Sequence, residues 1–177
     1  NLGGEVGAGG GGNKTTPVLV TAISGVAHLT HLSRADSHGC ARVSDGTLRC
    51  WGSNSVGQVG NGSMSVNAPV QVIEESFTTN VSTGEYNTCA VFADGSAKCW
   101  GANSKGTVGN GDVSVPVKAP SAVASLTGVA AIAVGREHAC ALTVNGGVYC
   151  WGSNAQGPLG LGDYNNSPTP EEVDLNP

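Results

Sequence analysis

The stretch Cys40-Ala-Arg-Val-Ser-Asp-Gly46-Thr-Leu-Arg-Cys50-Trp51-Gly52-Ser-Asn54-Ser-Val-Gly57-Gln58-Val59-Gly60-Asn61-Gly62 is written three times in this chain. Its second copy starts at Cys89 and passes through Cys99-Trp100-Gly101 to Gly111. Its third starts at Cys140 and passes through Cys150-Trp151-Gly152 to Gly162. All six cysteines and all three tryptophans fall inside these copies, and the tryptophans recur at intervals of 49 and 51 residues. A fixed period near 50 marks a repeat architecture, so each position has to be read across the copies before it is read alone.

Working outward, each copy holds two short apolar runs around a turn: Ser44-Asp45-Gly46, Ala93-Asp94-Gly95 and Val144-Asn145-Gly146. Asp-Gly or Asn-Gly between such runs predicts a β-hairpin. Upstream lies an apolar segment (Val26 to Leu29, Phe77 to Val81, Val129 to Val134). Downstream lies a glycine-rich loop of the form Asn-x-x-Gly-x-(Val/Leu)-Gly-x-Gly, at Asn54, Asn103 and Asn154. The same loop pattern opens the chain, at Asn1 to Gly9, and Pro17-Val18-Leu19-Val20 matches Pro69-Val70-Gln71-Val72. Residues 1–20 therefore read as the tail of a preceding repeat, with full repeats at 21–72, 73–120 and 121–177. Four short strands per repeat is the content of one propeller blade, so the expected fold is all-β. Three repeats and a tail are too few to close a ring. The expectation is a piece of a longer propeller, or a ring completed by more than one chain.

Composition agrees. Charged residues are only 12% of the 177, while glycine numbers 28. That balance favours short strands and tight turns over helices. The net charge of −5, with no basic run, argues against a nucleic-acid partner or an anionic membrane surface. No apolar stretch approaches the roughly 18 residues of a membrane-spanning helix.

The hairpins make the cysteines countable. With a three-residue loop ending in a left-handed glycine, Val43 faces Thr47, Arg42 faces Leu48, and Cys40 faces Cys50. The same count sets Cys89 opposite Cys99 and Cys140 opposite Cys150. Such pairs fall at non-hydrogen-bonded sites with Cα atoms about 4.5 Å apart, within reach of a disulfide. The expectation is three disulfides inside blades, and a secreted, periplasmic or cell-surface location. Free buried thiols remain the alternative. Structural zinc prefers ligand pairs two to four residues apart, which these are not.

These residues resemble the regulator of chromosome condensation repeat, in its extracellular bacterial-type form. The third copy, Gly135-Arg-Glu-His138-Ala-Cys140-Ala-Leu142, carries the motif Gly-x-x-His-x-Cys-Ala-Leu in full. The first copy has Ala35 for the glycine and keeps His38; the second has Asn87 in place of histidine. The resemblance implies a β-propeller, usually of seven blades. A light-sensing plant member of the family has tryptophan directly after that glycine. Here the position holds Asp36, Glu85 and Arg136, so light sensing is not expected.

No catalytic constellation is visible. His38 and His138 have no recurrent acid or nucleophile beside them and read as structural. Trp51, Trp100 and Trp151 read as packing between blades, since each occupies the same place in its repeat. The Gly-x-Gly loops lack the Gly-Lys-Ser/Thr of a phosphate loop. Asp112 and Asp163 alone are too few oxygens for calcium. No cofactor or metal is expected.

Function then falls to positions that differ between copies: Asp36, Glu85, Tyr86, Arg136 and Glu137 ahead of the first cysteine, and Asp112, Asp163 and Tyr164 in the later loop. Tyrosine is enriched in binding hot spots. The reading is a non-enzymatic extracellular protein-binding or adhesion module. The alternatives are an assembly protein whose blades pair between chains, or a targeting propeller of a larger secreted enzyme. Nucleotide exchange, as in the family's nuclear founder, is disfavoured by the cysteine pairs and the missing basic tail.

Overall fold

The computed structural model describes residues 4–9, 16–20, 23–29, 38–64, 69–72 and 77–175. The described chain forms twelve strands in three four-stranded antiparallel sheets. The first sheet holds β1 (Val26–Leu29), β2 (His38–Val43), β3 (Leu48–Gly52) and β4 (Val70–Gln71). The second holds β5 (Thr78–Thr83), β6 (Asn87–Phe92), β7 (Ala97–Gly101) and β8 (Val117–Ala122). The third holds β9 (Val129–Val134), β10 (His138–Thr143), β11 (Val148–Gly152) and β12 (Ser167–Glu172). Strands within each sheet neighbour one another in chain order. Prolines 120, 168 and 170 sit on edge strands β8 and β12, where a missing amide costs no ladder bond.

The central hairpins have the counted register. Arg42 pairs with Leu48 and Cys40 with Cys50, and the other two sheets repeat this. Each loop closes the same way: Val43 N–H donates to Thr47 O at 2.9 Å, and Gly46 sits at a φ of 88°. The disulfides Cys40–Cys50, Cys89–Cys99 and Cys140–Cys150 follow, each with Cα atoms 4.1 Å apart.

The hydrophobic core lies between sheets, not within them. Cys40, Leu48, Cys50, Val59 and Val72 of the first sheet and its loop pack on Val81, Ala90, Phe92 and Trp100 of the second. Cys89, Val91, Val108 and Val123 of the second unit pack in the same way on Val129, Ile132, Ala139 and Trp151 of the third. The middle sheet is covered on both sides by its neighbours, and all six residues of β6 are buried. On the third sheet burial alternates: Ala139 and Ala141 are covered, whereas Leu142 is 43% exposed.

Candidate functional site

The glycine-rich loops lock each sheet to the next. Asn54 organises its loop from inside: its Oδ1 accepts from Val59 N–H at 2.9 Å, and its Nδ2 donates to Ser63 O at 2.9 Å. Asn103 and Asn154 make the same bonds, to Val108 and Asp112 and to Leu159 and Asp163. The loop so held presents a carbonyl to the next sheet's tryptophan. The Trp51 indole N–H donates to Glu5 O at 3.0 Å, Trp100 to Gln58 O at 2.9 Å, and Trp151 to Thr107 O at 2.9 Å. The ring then sits against the loop's second glycine. A Cβ on Gly60 or Gly109 would stand 2.6 Å from the indole nitrogen, and both glycines have a positive φ, 78° and 75°. The Val/Leu-Gly pair thus has two requirements, a left-handed backbone and no side chain under the indole.

The two complete interfaces differ in their polar centre. Between sheets one and two, buried His38 Nε2 lies 2.8 Å from Thr88 Oγ1, and Thr88 Oγ1 donates to Gln58 O at 2.7 Å. A carbonyl only accepts, so the threonine proton points at Gln58, and His38 must carry its proton on Nε2. Between sheets two and three, Asn87 and Ala139 hold those positions. Asn87 Nδ2 turns back onto its own sheet, to Trp100 O at 3.3 Å and Ala102 O at 2.5 Å. His38 is fully buried and closed to any substrate. His138 is half-buried, and desolvation holds its pKa below the ordinary value.

The copy-variable residues gather at one end of the strands. The turns 84–86 and 135–137 precede β6 and β10, and the loops 102–116 and 153–166 follow β7 and β11, which end beside those turns. Ala102 N–H donates to Tyr86 O and Ser153 N–H to Glu137 O, joining turn to loop. Arg136 Nε lies 2.9 Å from Glu85 Oε2, an ion pair that links neighbouring sheets. Glu85 and Arg136 occupy positions where tryptophan would suit a light sensor. Tyr86 and Glu137 are half-buried, and Asp36 lies outside the described residues. Asp112 and Asp163 are exposed caps of their loops. Hydrogen bonds from the Ser114 hydroxyl and from the Val113 and Ser114 amides hold Asp112 below the usual carboxylate range. For Asp163 the Asn165 side chain and amide do the same.

Of the apolar residues on this rim, Met64 and Val113 fall in the copy-variable loop stretches 63–67 and 112–114, and Val115 lies just beyond the second. Met64, Val113 and Val115 are exposed on loops of this end, as is Tyr164, which is 74% exposed. Among the described residues, no group of three His, Cys, Asp or Glu side chains is placed to hold a metal. A recess of about 530 Å³ lies at the opposite end, between Asn145–Gly147 and Glu172–Leu175.

Comparison with known proteins places this geometry. Two models of the Regulator of chromosome condensation (RCC1) repeat match the chain, one at residues 36–58, 79–107 and 129–157, the other at 94–142 and 145–177. The Arabidopsis thaliana Ultraviolet-B receptor UVR8 is 27% identical over 172 residues, 96% of this chain and 28% of the receptor. The Saccharomyces cerevisiae Prp20p structure, described with its binding properties to Gsp1p and histones, superposes with a TM-score of 0.76. It is 21% identical over 86% of this chain and 39% of that one. The ectodomain of the Physcomitrella patens receptor kinase CR4 is 25% identical, with a TM-score of 0.51, over 82% of this chain and 35% of that one. The chain thus spans under two fifths of the length of these relatives. It belongs to the regulator of chromosome condensation repeat family, and its three sheets are blades of a β-propeller.

Proposed function

We propose that this chain is a non-enzymatic protein-binding module of an oxidising compartment, secreted, periplasmic or on the cell surface. Its partner surface is the rim of copy-variable loops. One observation carries the reading: the framework residues are spent on inter-blade locking, and the variable residues collect at one exposed end with Tyr164, Val113, Val115 and Met64 uncovered. Clustered aromatic and aliphatic side chains among polar neighbours make the kind of surface that binds protein. Two further points support the reading. Each blade holds a cystine and no free cysteine remains, which fits an oxidising compartment. A receptor-kinase ectodomain shares the fold.

Two measurements test it. Thiol titration of native material under denaturing conditions should find no free thiol without reductant and six with it; six free thiols at the start would sink the compartment. Affinity capture from the extracellular fraction of the source should give a partner that is lost on Tyr164→Ala with Val113→Ser. A partner bound equally well by that variant would refute the rim as the contact.

A further inference from the structure

The chain holds three asparagine–glycine pairs, Asn61-Gly62, Asn110-Gly111 and Asn145-Gly146. In such a pair the glycine amide nitrogen, with no Cβ to shield it, can attack the carbonyl carbon of the asparagine side chain. The fold treats the three pairs differently. The Asn61 side-chain oxygen accepts from Asn54 Nδ2 at 3.2 Å and from Ser63 N–H at 3.1 Å. The Asn110 oxygen accepts from Asn103 Nδ2 at 3.4 Å and from Asp112 N–H at 3.1 Å. The attacking nitrogens are held as well: Gly62 N–H donates to Lys118 O and Gly111 N–H to Pro168 O, each on the following blade. Folding either side chain back onto its own backbone breaks hydrogen bonds on both reacting groups.

The Asn145 side chain is exposed and stands free of hydrogen bonds among the described residues. Two neighbours explain this. In the first two hairpin turns the position is Asp45 or Asp94. Asp45 Oδ1 accepts from the Thr47 amide and hydroxyl at 2.9 and 2.7 Å, and Asp94 Oδ1 from those of Ser96 at 2.9 and 2.6 Å. In the third turn Gly147 replaces the hydroxyl residue, and its N–H donates to Thr143 Oγ1 at 3.1 Å. Val43 and Phe92, the counterparts of Thr143, have no hydroxyl. The third turn is thus closed through Thr143, and the residue at its tip is released. Gly146 N–H makes the turn's own bond, to Thr143 O at 3.0 Å. Asp45 and Asp94 are exposed although a following blade covers their sheets, so exposure of this tip belongs to the turn itself.

We infer that Asn145 is a site of spontaneous modification, where the third turn converts from Asn-Gly to Asp-Gly or to its isoaspartyl isomer. The Gly146 nitrogen gives up its proton and bonds to Cγ of Asn145. The Cγ–Nδ2 bond breaks, and Nδ2 leaves with that proton as ammonia. Water opens the resulting cyclic imide. Opening at Cγ gives aspartate; opening at the backbone carbonyl gives isoaspartate, with the chain running through the side chain. The new carboxylate joins Glu172 in the lining of a recess of about 300 Å³. The inference is independent of what the rim binds.

The full chain is incubated in mildly alkaline buffer and mapped by peptide mass spectrometry for replacement of the side-chain amide by a carboxyl group. Asn145 should convert roughly tenfold faster than Asn61 or Asn110, about the worth of one or two hydrogen bonds. In urea with reductant the three rates should converge. Thr143→Val combined with Gly147→Ser rebuilds the cap of the first two turns and should slow Asn145 severalfold. Conversion of Asn145 no faster than that of the other two pairs overturns the inference. An equal lead in urea does so too, because it assigns the lead to local sequence. A combined variant that keeps the native urea midpoint and converts as fast as before overturns the released cap as the cause. The comparison of native with unfolded wild-type chain decides the site without requiring any variant to fold.

Discussion

The two interfaces between blades are built on the same frame and centred differently. Both place an indole on a left-handed glycine and bond it to the loop carbonyl beside that glycine. At the first, Gln58 O also receives the Thr88 hydroxyl, and His38 completes a chain of buried hydrogen bonds. At the second, Ala139 removes the hydroxyl, and Asn87 turns its Nδ2 onto its own blade while its Oδ1 stays buried without a hydrogen-bond partner. The repeat thus conserves the lock and varies the centre. The facing residues differ together: Thr88 stands opposite His38, and Ala139 stands where the second interface offers Asn87 no hydroxyl.

The largest effect expected is from removing the lock. Trp151→Ala and Trp100→Ala each delete a buried aromatic side chain, a loss of about 3–5 kcal/mol. The comparison sharpens this. In Trp100→Ala, Gln58 O keeps its bond from Thr88. In Trp151→Ala, Thr107 O loses its indole donor, so the second variant should be less stable by about 1 kcal/mol more. Urea unfolding of the full chain measures both, and equal losses would break the distinction drawn between the interfaces.

Next in size is the glycine under the ring. Gly60→Ala and Gly109→Ala set a methyl 2.6 Å from an indole nitrogen on a left-handed backbone. Left-handed strain and overpacking each cost roughly 1–3 kcal/mol. Gly160→Ala has the same kind of backbone, at a φ of 69°, but its Cβ would meet only Val173 at 3.3 Å. It should show the strain alone. If Gly160→Ala proved as damaging as the other two, the indole contact would not be what requires glycine there.

Much of this frame was legible in the sequence. The period of the tryptophans gives the blades, and a loop ending in Gly46, Gly95 or Gly146 fixes the register that pairs the cysteines. Those are local rules, set by turn geometry and strand alternation. The His38–Thr88 pair was not legible, because its members lie 50 residues apart on different sheets. Each residue looked like ordinary variation within its own copy. Of the exposed apolar loop residues, Met64 and Val113 fall within the copy-variable stretches 63–67 and 112–114, and only Val115 lies outside them. The reason for the second glycine of each loop was likewise hidden. A turn explains its positive φ, but only the neighbouring blade supplies the indole.

A smaller effect follows from that pair. His38→Asn and Thr88→Ala should each lower stability, the first by stranding the Thr88 acceptor side and the second by stranding His38 Nε2. The double variant imitates the second interface, so it should lose less than the sum, with a coupling of about 1 kcal/mol. A double-mutant cycle by urea denaturation reads this directly. Strict additivity would mean that the two interfaces differ by accident and not by matched replacement.

The smallest effect expected is the pH response of the third histidine position, which has no blade against it. Burial holds the His138 imidazole below its ordinary pKa of 6.5, because desolvation disfavours the imidazolium form. The unfolded chain therefore takes up this proton first as pH falls, so the contribution of His138 is whole above about pH 6.5 and is lost as pH drops through its depressed folded value. Its neighbours in the same cavity are Arg136 and Glu137, and Arg136 is tied to Glu85. Water still reaches the ring and softens the effect. The urea midpoint should fall slightly between pH 7 and pH 5, and His138→Gln should flatten that slope. The aspartates with lowered pKa values, Asp45, Asp94, Asp112 and Asp163, act only below their ordinary value of 3.8, outside this window. A slope between pH 7 and pH 5 that survives His138→Gln would place the proton uptake elsewhere.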